Sequence, residues 1–169
     1  ETRTAHADYI AFTETATDVP GAVNLGEIML WLREHLSPDD ILCNGAGNFS
    51  GWLHRFYRLR RFNAFIGPTP GSMGYGVPSG IAANLLTGRT VFTIAGDGDF
   101  LMNGQELATA TAYGAKRLIS VVVDNGSYGT IRMHQERQYP ARVSGSELAN
   151  PDFAALARAY GASGETVAH

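Results

Sequence analysis

The sequence predicts an α/β fold, a doubly wound parallel sheet with helices on both faces. Two runs carry this expectation first: Thr90 to Ala95, rich in β-branched residues, and Leu118 to Val123, apolar except for Ser120. Strands this apolar are buried on both faces, as in a parallel sheet between helix layers. Helical patterns alternate with the strands, the order that α/β domains show. Glycine adds the third observation. The 169 residues include 20 glycines, 15 of them between Gly45 and Gly129; the share, roughly 12%, exceeds the usual share of about 7%.

Taken in order, Glu1 to Pro20 is rich in Thr and Ala without a clear period and reads as a linker or lead-in segment, leaving 21–169 as the domain. Leu25, Ile28, Met29, Leu32 and Leu36 recur at helical spacing, so an amphipathic helix is expected from Asn24 to Leu36. Ile41 to Cys43 reads as a short buried strand entering the glycine cluster Gly45 to Gly51. His54 to Phe62 is aromatic and basic and reads as a surface or subunit-contact segment. A second cluster, Gly67 to Gly76, precedes a segment of small residues, Ser79 to Leu86, expected as a helix packed closely on the sheet. After strand Thr90 to Ala95, a helix is expected over Asn103 to Ala112, with Gln105 and Glu106 near its start. A final helix is expected with Asn150 at its N-cap, Pro151 in the first turn, and Gly161 closing it.

Composition excludes several classes. The formal net charge is -3, so nucleic acid, which demands a basic field, is not an expected partner. Cys43 is the single cysteine, leaving no internal disulfide and no thiolate zinc site, and a reducing cytoplasm is the expected location. The longest apolar stretches fall well short of the roughly 20 residues of a membrane-spanning helix, and no export leader is legible at the start of the sequence.

Chemistry is expected where the two best strands end. Thr90 to Ala95 runs into Gly96-Asp97-Gly98-Asp99, and Leu118 to Val123 runs into Asp124-Asn125-Gly126-Ser127. If one helical connection joins them in a right-handed crossover, both clusters lie at the carboxyl edge of the sheet, where open α/β sheets bind ligands. Asp97, Asn125 and a turn carbonyl are the hard oxygen donors that magnesium or calcium prefers. The helix that follows offers free N–H groups to an anion. A cation beside an anion suggests a magnesium-bound phosphate or diphosphate. Asp97, Asp99 and Asp124 could instead form a carboxylate cluster for magnesium-dependent phosphoryl transfer or hydrolysis. Nucleotide binding is a poor match, because Gly45-x-Gly47-x-x-x-Gly51 misses the dinucleotide spacing by one residue. A non-catalytic regulatory or scaffolding module is a further alternative.

From Gly96-Asp97-Gly98 to Asn125, with 26 residues (99 through 124) after Gly98, the sequence resembles the cofactor motif of thiamine-diphosphate-dependent enzymes. Gly71-Ser72-Met73-Gly74-Tyr75-Gly76-Val77-Pro78, Gln105-Glu106-Leu107, Tyr128-Gly129 and Asp152 to Ala157 extend the resemblance. It points to the carboxyl-terminal diphosphate-binding domain of the acetolactate synthase and 2-keto acid decarboxylase group.

That resemblance implies a set of roles. Asp97, the Asn125 side chain and the Ser127 carbonyl would hold Mg2+, which bridges the diphosphate of the cofactor. Gly98 and Asp99 would give backbone N–H contacts to the phosphates, and Asn48 a side-chain contact. The Gly71 carbonyl would accept from the 4-amino group of the cofactor, and Met73 would be the apolar wedge under its bend. The substrate would be a 2-keto acid, handled by acetolactate synthase-like decarboxylation of pyruvate and carboligation, or by decarboxylation of the benzoylformate or pyruvate decarboxylase type. No catalytic residue is expected in this chain. The family's glutamate comes from an amino-terminal domain of a partner subunit, so the chain reads as a domain excised from a larger homo-oligomer (dimer or tetramer) and inactive alone. Two positions depart from the family pattern: Asp124 replaces the first of an Asn pair, and Asp99 stands where small residues such as Ser are frequent.

Overall fold

A computed structural model describes residues 1–168. Its centre is a four-stranded, wholly parallel sheet of β1 (Ile41–Asn44), β2 (Phe65–Ile66), β3 (Val91–Gly96) and β4 (Leu118–Val123), in the order β2-β1-β3-β4. Around it lie α1 (Thr2–Thr13), α2 (Leu25–His35), α3 (Phe49–Phe56), α4 (Gly76–Thr87), α5 (Asp97–Asn103), α6 (Leu107–Ala112), α7 (Gly129–Gln138) and α8 (Phe153–Ala159).

Side chains alternate across a strand, and the two faces divide accordingly. Leu42 and Ile94 point to one face, where Met29, Leu32 and Leu36 from the α2 region and Phe49, Leu53 and Phe56 from α3 cover them. Ile41, Cys43 and Val91 point to the other, under Ala83 of α4. There Val77, Ile81, Ala95, Phe100, Leu107 and Ala110 join α4, α5 and α6 into one cluster, against which α8 packs. The sheet is therefore doubly wound, as the sequence predicts. Thr93 and Ser120, polar positions in the two best strands, bond to each other at 2.9 Å.

Burial determines the chemistry of the lone cysteine. Cys43 is fully buried, and desolvation pushes its thiol up to about 12 despite a bond from Ser79 that lowers it. Since only the thiolate reacts readily, Cys43 is expected to resist a disulfide reagent at pH 8 while the protein is folded and to react at once in denaturant. Rapid modification of the folded protein would contradict this packing.

Several elements differ from expectation. The lead-in segment 1–20 contains α1, held by Glu14, which bonds Arg33 at 3.0 Å and also pairs with Arg58; Arg33 holds the Glu14 carboxyl below its ordinary range. α3, β2 and α7 fall in stretches that showed no legible period. The helix expected over 103–112 begins earlier, at Asp97, and is broken by a 3-10 turn at Gly104–Glu106. Asp97 and Asp99 suit that earlier start, because acids are favourable in a first turn, and Gly104 is a poor helix former. The N-cap of α8 is Asp152, which accepts from Ala155 N at 2.9 Å, and not Asn150. β4 is half-buried, with Ile119 42% exposed, because it is the edge of the described sheet. Among the described residues no helix is long and apolar enough to cross a membrane.

Candidate functional site

The strand order places the site. From β1 the chain moves outward to β2, then returns to the far side of β1 for β3, so the order reverses between β1 and β3. Loops leaving neighbouring strands in opposite directions open a crevice at the carboxyl edge. An open groove lies there, lined by Asn48 and Phe49 after β1, Asp97 to Asp99 after β3, Asn125 and Ser127 after β4, and Met73.

Seven of the eight residues singled out from the sequence, Asn48, Met73, Asp97, Gly98, Asp99, Asn125 and Ser127, line this one groove. Gly71 sits on the same loop as Met73 with φ +68, outside the lining. Asp97, 3% exposed, is the first residue of α5; its Oδ1 accepts from Gly98 N at 2.9 Å. Asn125 Oδ1 accepts from Ser127 N at 3.0 Å, an Asx-type turn, and the Ser127 carbonyl accepts from Gly129 N at 2.8 Å. Each carbonyl oxygen keeps a second lone pair for a cation. Asn48 Oδ1 accepts from Thr130 Oγ1 at 2.9 Å, which ties the β1 loop to α7. Met73 is 37% exposed and adds an apolar surface to the lining.

Asp99 answers the question its charge raises. Its side chain is engaged by backbone donors: Oδ1 accepts from Gly74 N at 2.7 Å and Ala46 N at 3.2 Å. The carboxylate thus clamps both glycine loops to the start of α5. Burial pushes its carboxyl above the ordinary range, opposed by the bonds from Gly74 and Ala46. The clamp also explains Gly45, where a Cβ would lie 1.9 Å from Asp99 Oδ2. Gly98 has a similar reason, since a Cβ there would lie 2.4 Å from the Tyr128 ring.

With Asp99 engaged elsewhere, the three-carboxylate cluster needed for phosphoryl transfer does not form; among the described residues no group of three or more His, Cys, Asp or Glu is placed to hold a metal. One buried carboxylate, one amide and one main-chain carbonyl remain. That donor set suits magnesium, which is commonly held by one or two carboxylates together with phosphate oxygens. The amino ends of α3 and α5 both meet the groove and favour an anion. Sequence reasoning gave no role to Thr130 and Ile131, which line the groove from a helix without apolar periodicity, to Tyr128 at the N-cap of that helix, or to Asn150, whose position beside a proline reads as a helix cap.

A doubly wound sheet whose switch-point groove joins cation donors to helix amino ends is a cofactor-binding α/β domain. A family model for the thiamine pyrophosphate enzyme, C-terminal TPP binding domain, matches residues 45–169, and the chain belongs to that family, which uses thiamine diphosphate with Mg2+. Acetolactate synthase large subunit from Parasynechococcus marenigrum is 37% identical over 153 residues, covering 89% of this chain and 24% of its own length. The large subunit from Lactococcus lactis is 33% identical over 138 residues, 80% of this chain and 24% of its own. A solved thiamine diphosphate-dependent 4-hydroxybenzoylformate decarboxylase from Rhodococcus jostii superposes with a TM-score of 0.83 at 25% identity, covering 93% of this chain and 30% of that one. The chain thus spans about a quarter of the length of these curated relatives.

Proposed function

We propose that this chain is the carboxyl-terminal cofactor domain of a longer, cytoplasmic, thiamine-diphosphate-dependent enzyme that acts on 2-keto acids, with acetolactate synthase-like activity on pyruvate. The observation that carries this is the convergence of Asp97, Asn125, Ser127 and Met73 on one groove at the switch point. Names of the curated relatives favour the synthase. The decarboxylase reading, of the benzoylformate or pyruvate decarboxylase type, is kept because the solved neighbour is a decarboxylase.

In this reading Asp97, the Asn125 amide oxygen and the Ser127 carbonyl would hold Mg2+ for the diphosphate. Backbone N–H groups at the amino ends of α3 and α5 would receive the phosphates, and Asn48, Gly98 and Asp99 belong to those segments. Met73 would supply an apolar support for the cofactor, on the loop that Asp99 anchors through Gly74. Gly71, next on that loop, offers its carbonyl to the amino group of the cofactor. When bound, thiamine diphosphate supplies a carbon nucleophile and an electron sink for loss of carbon dioxide from a 2-keto acid. This chain's residues bind and orient it. The glutamate that activates it comes from the amino-terminal domain of a partner subunit, which makes the working enzyme a homo-oligomer.

The full-length enzyme given pyruvate, thiamine diphosphate and Mg2+ is expected to release acetolactate in preference to acetaldehyde. Acetaldehyde as the main product would move the assignment to the decarboxylase. Absence of both products would sink each pyruvate-based reading.

A further inference from the structure

Within four residues, the stretch Asn150-Pro151-Asp152-Phe153 ties the site to α8. Phe153 packs edge-on against Phe100 of α5, ring centroids 5.4 Å apart, and Asp152 caps the helix. Asn150 is thereby free for another task. Its Nδ2 donates to Asp97 Oδ2 at 2.7 Å and to Asp124 Oδ1 at 2.7 Å. Pro151 explains the arrangement, because a residue before proline is driven to extended backbone and kept out of the helix. Chemistry fixes the amide's orientation: reversed, its carbonyl would face two carboxylates. Asn150 Oδ1 is buried without a partner, a cost accepted so that both amide hydrogens reach the acids.

The preceding residues knit the same segment to the turn after β4. Tyr128 N donates to Ser146 O at 2.8 Å, Leu148 N to Gly126 O at 2.9 Å, and Ser127 Oγ to Ser146 O at 3.0 Å. Segment 146–150 and turn 124–128 therefore form one unit, and Asn150 joins that unit to Asp97.

We propose that Asn150 is a positioning residue of the cation site, one amide bridging Asp97 and Asp124 so that the ligand carboxylate is fixed in place despite a second carboxylate beside it. The inference rests on reading Asp97, Asn125 and Ser127 as cation ligands. An aspartate at 124 brings a like charge to the site; Gly98 N and Gly126 N each hold one of the acids locally, and the two hydrogens of the Asn150 amide are what tie the acids to each other. Magnesium demands near-ideal octahedral geometry at about 2.0–2.1 Å, whereas calcium tolerates varied geometry at about 2.3–2.6 Å. Loosening Asp97 therefore costs magnesium more than calcium.

The test is a calorimetric titration of the full-length protein with Mg2+ and with Ca2+ at saturating thiamine diphosphate. Asn150→Ala is expected to weaken Mg2+ about tenfold or more and Ca2+ by less than about threefold. Adding Asp124→Asn should restore most of the Mg2+ affinity, since the competing charge is gone. A merely structural role would weaken both cations together, so an unchanged Mg2+ to Ca2+ ratio overturns the inference. If Asn150→Ala does not fold, Asn150→Ser, with one hydroxyl donor for two acids, must shift the ratio in the same direction; no shift is equally fatal. Wild-type protein that binds neither cation sinks the underlying ligand reading, whereas wild-type binding matched by Asn150→Ala sinks the positioning role alone.

Discussion

Asp97→Ala is expected to abolish the binding of thiamine diphosphate with Mg2+, lowering affinity by about a hundredfold or more. The magnitude follows from where the residue stands: losing an outer-shell partner of a metal ligand costs about 10- to 100-fold, and Asp97 is assigned to the ligand set itself. It is also the buried carboxylate of that set, and Asp124 beside it is already engaged by Asn150 and by Gly126 N. The fold should survive. Removing the carboxylate leaves Gly98 N and one Asn150 hydrogen without an acceptor, a loss of about 1–3 kcal/mol. In the longer protein that lowers Tm by a few degrees, at no more than about 2–4 °C per kcal/mol, without unfolding at 25 °C. Calorimetry with thiamine diphosphate and Mg2+ on the full-length protein, beside a thermal melt, separates the two effects. Wild-type affinity in a folded Asp97→Ala protein would remove Asp97 from the cation site. Phosphatase activity that persists without thiamine would revive the phosphoryl-transfer reading.

Much of this site was legible because the polar residues stand immediately after apolar runs. β4 was bounded correctly at Leu118 and Val123, and β3 to within one residue, since six-residue apolar strands have few alternative interpretations. Strand ends in a parallel sheet fix one edge, so Asp97 and Asn125 could be brought together before any coordinates. Elements without internal periodicity were not legible. β2 has two residues and exists through its pairing with β1. α7 buries no residue, so no apolar stripe marks it. Asn150 shows the deeper limit: Asn before Pro is a good cap signal locally, yet two carboxylates distant in sequence outcompete the helix end for its amide. Local propensity is a weak prior against a charge-assisted partner supplied by tertiary structure. Asp99 is the counterpart: a carboxylate beside a phosphate site is unfavourable by charge, and only the tertiary structure supplies the Gly74 and Ala46 N–H groups that engage it.

Gly45→Ala is expected to destabilise the protein by about 2–4 kcal/mol, lowering Tm by roughly 5–15 °C. A methyl at position 45 would lie 1.9 Å from Asp99 Oδ2 and 2.1 Å from Oδ1. The carboxylate cannot simply rotate aside, because it is 3% exposed and its Oδ1 holds Gly74 N and Ala46 N. Moving it strands two N–H groups and separates the loop that bears Met73 from the loop that bears Asn48, so cofactor affinity should fall along with stability. The cause is testable by compensation. Asp99→Ser removes the atoms that occupy the space, and the Gly45→Ala/Asp99→Ser double variant should recover at least half of the Tm lost by Gly45→Ala. Such a coupling is the non-additivity expected of residues in contact. Strict additivity of the two changes would mean that Gly45 is required for some other reason, and the clamp would lose its claim on that glycine.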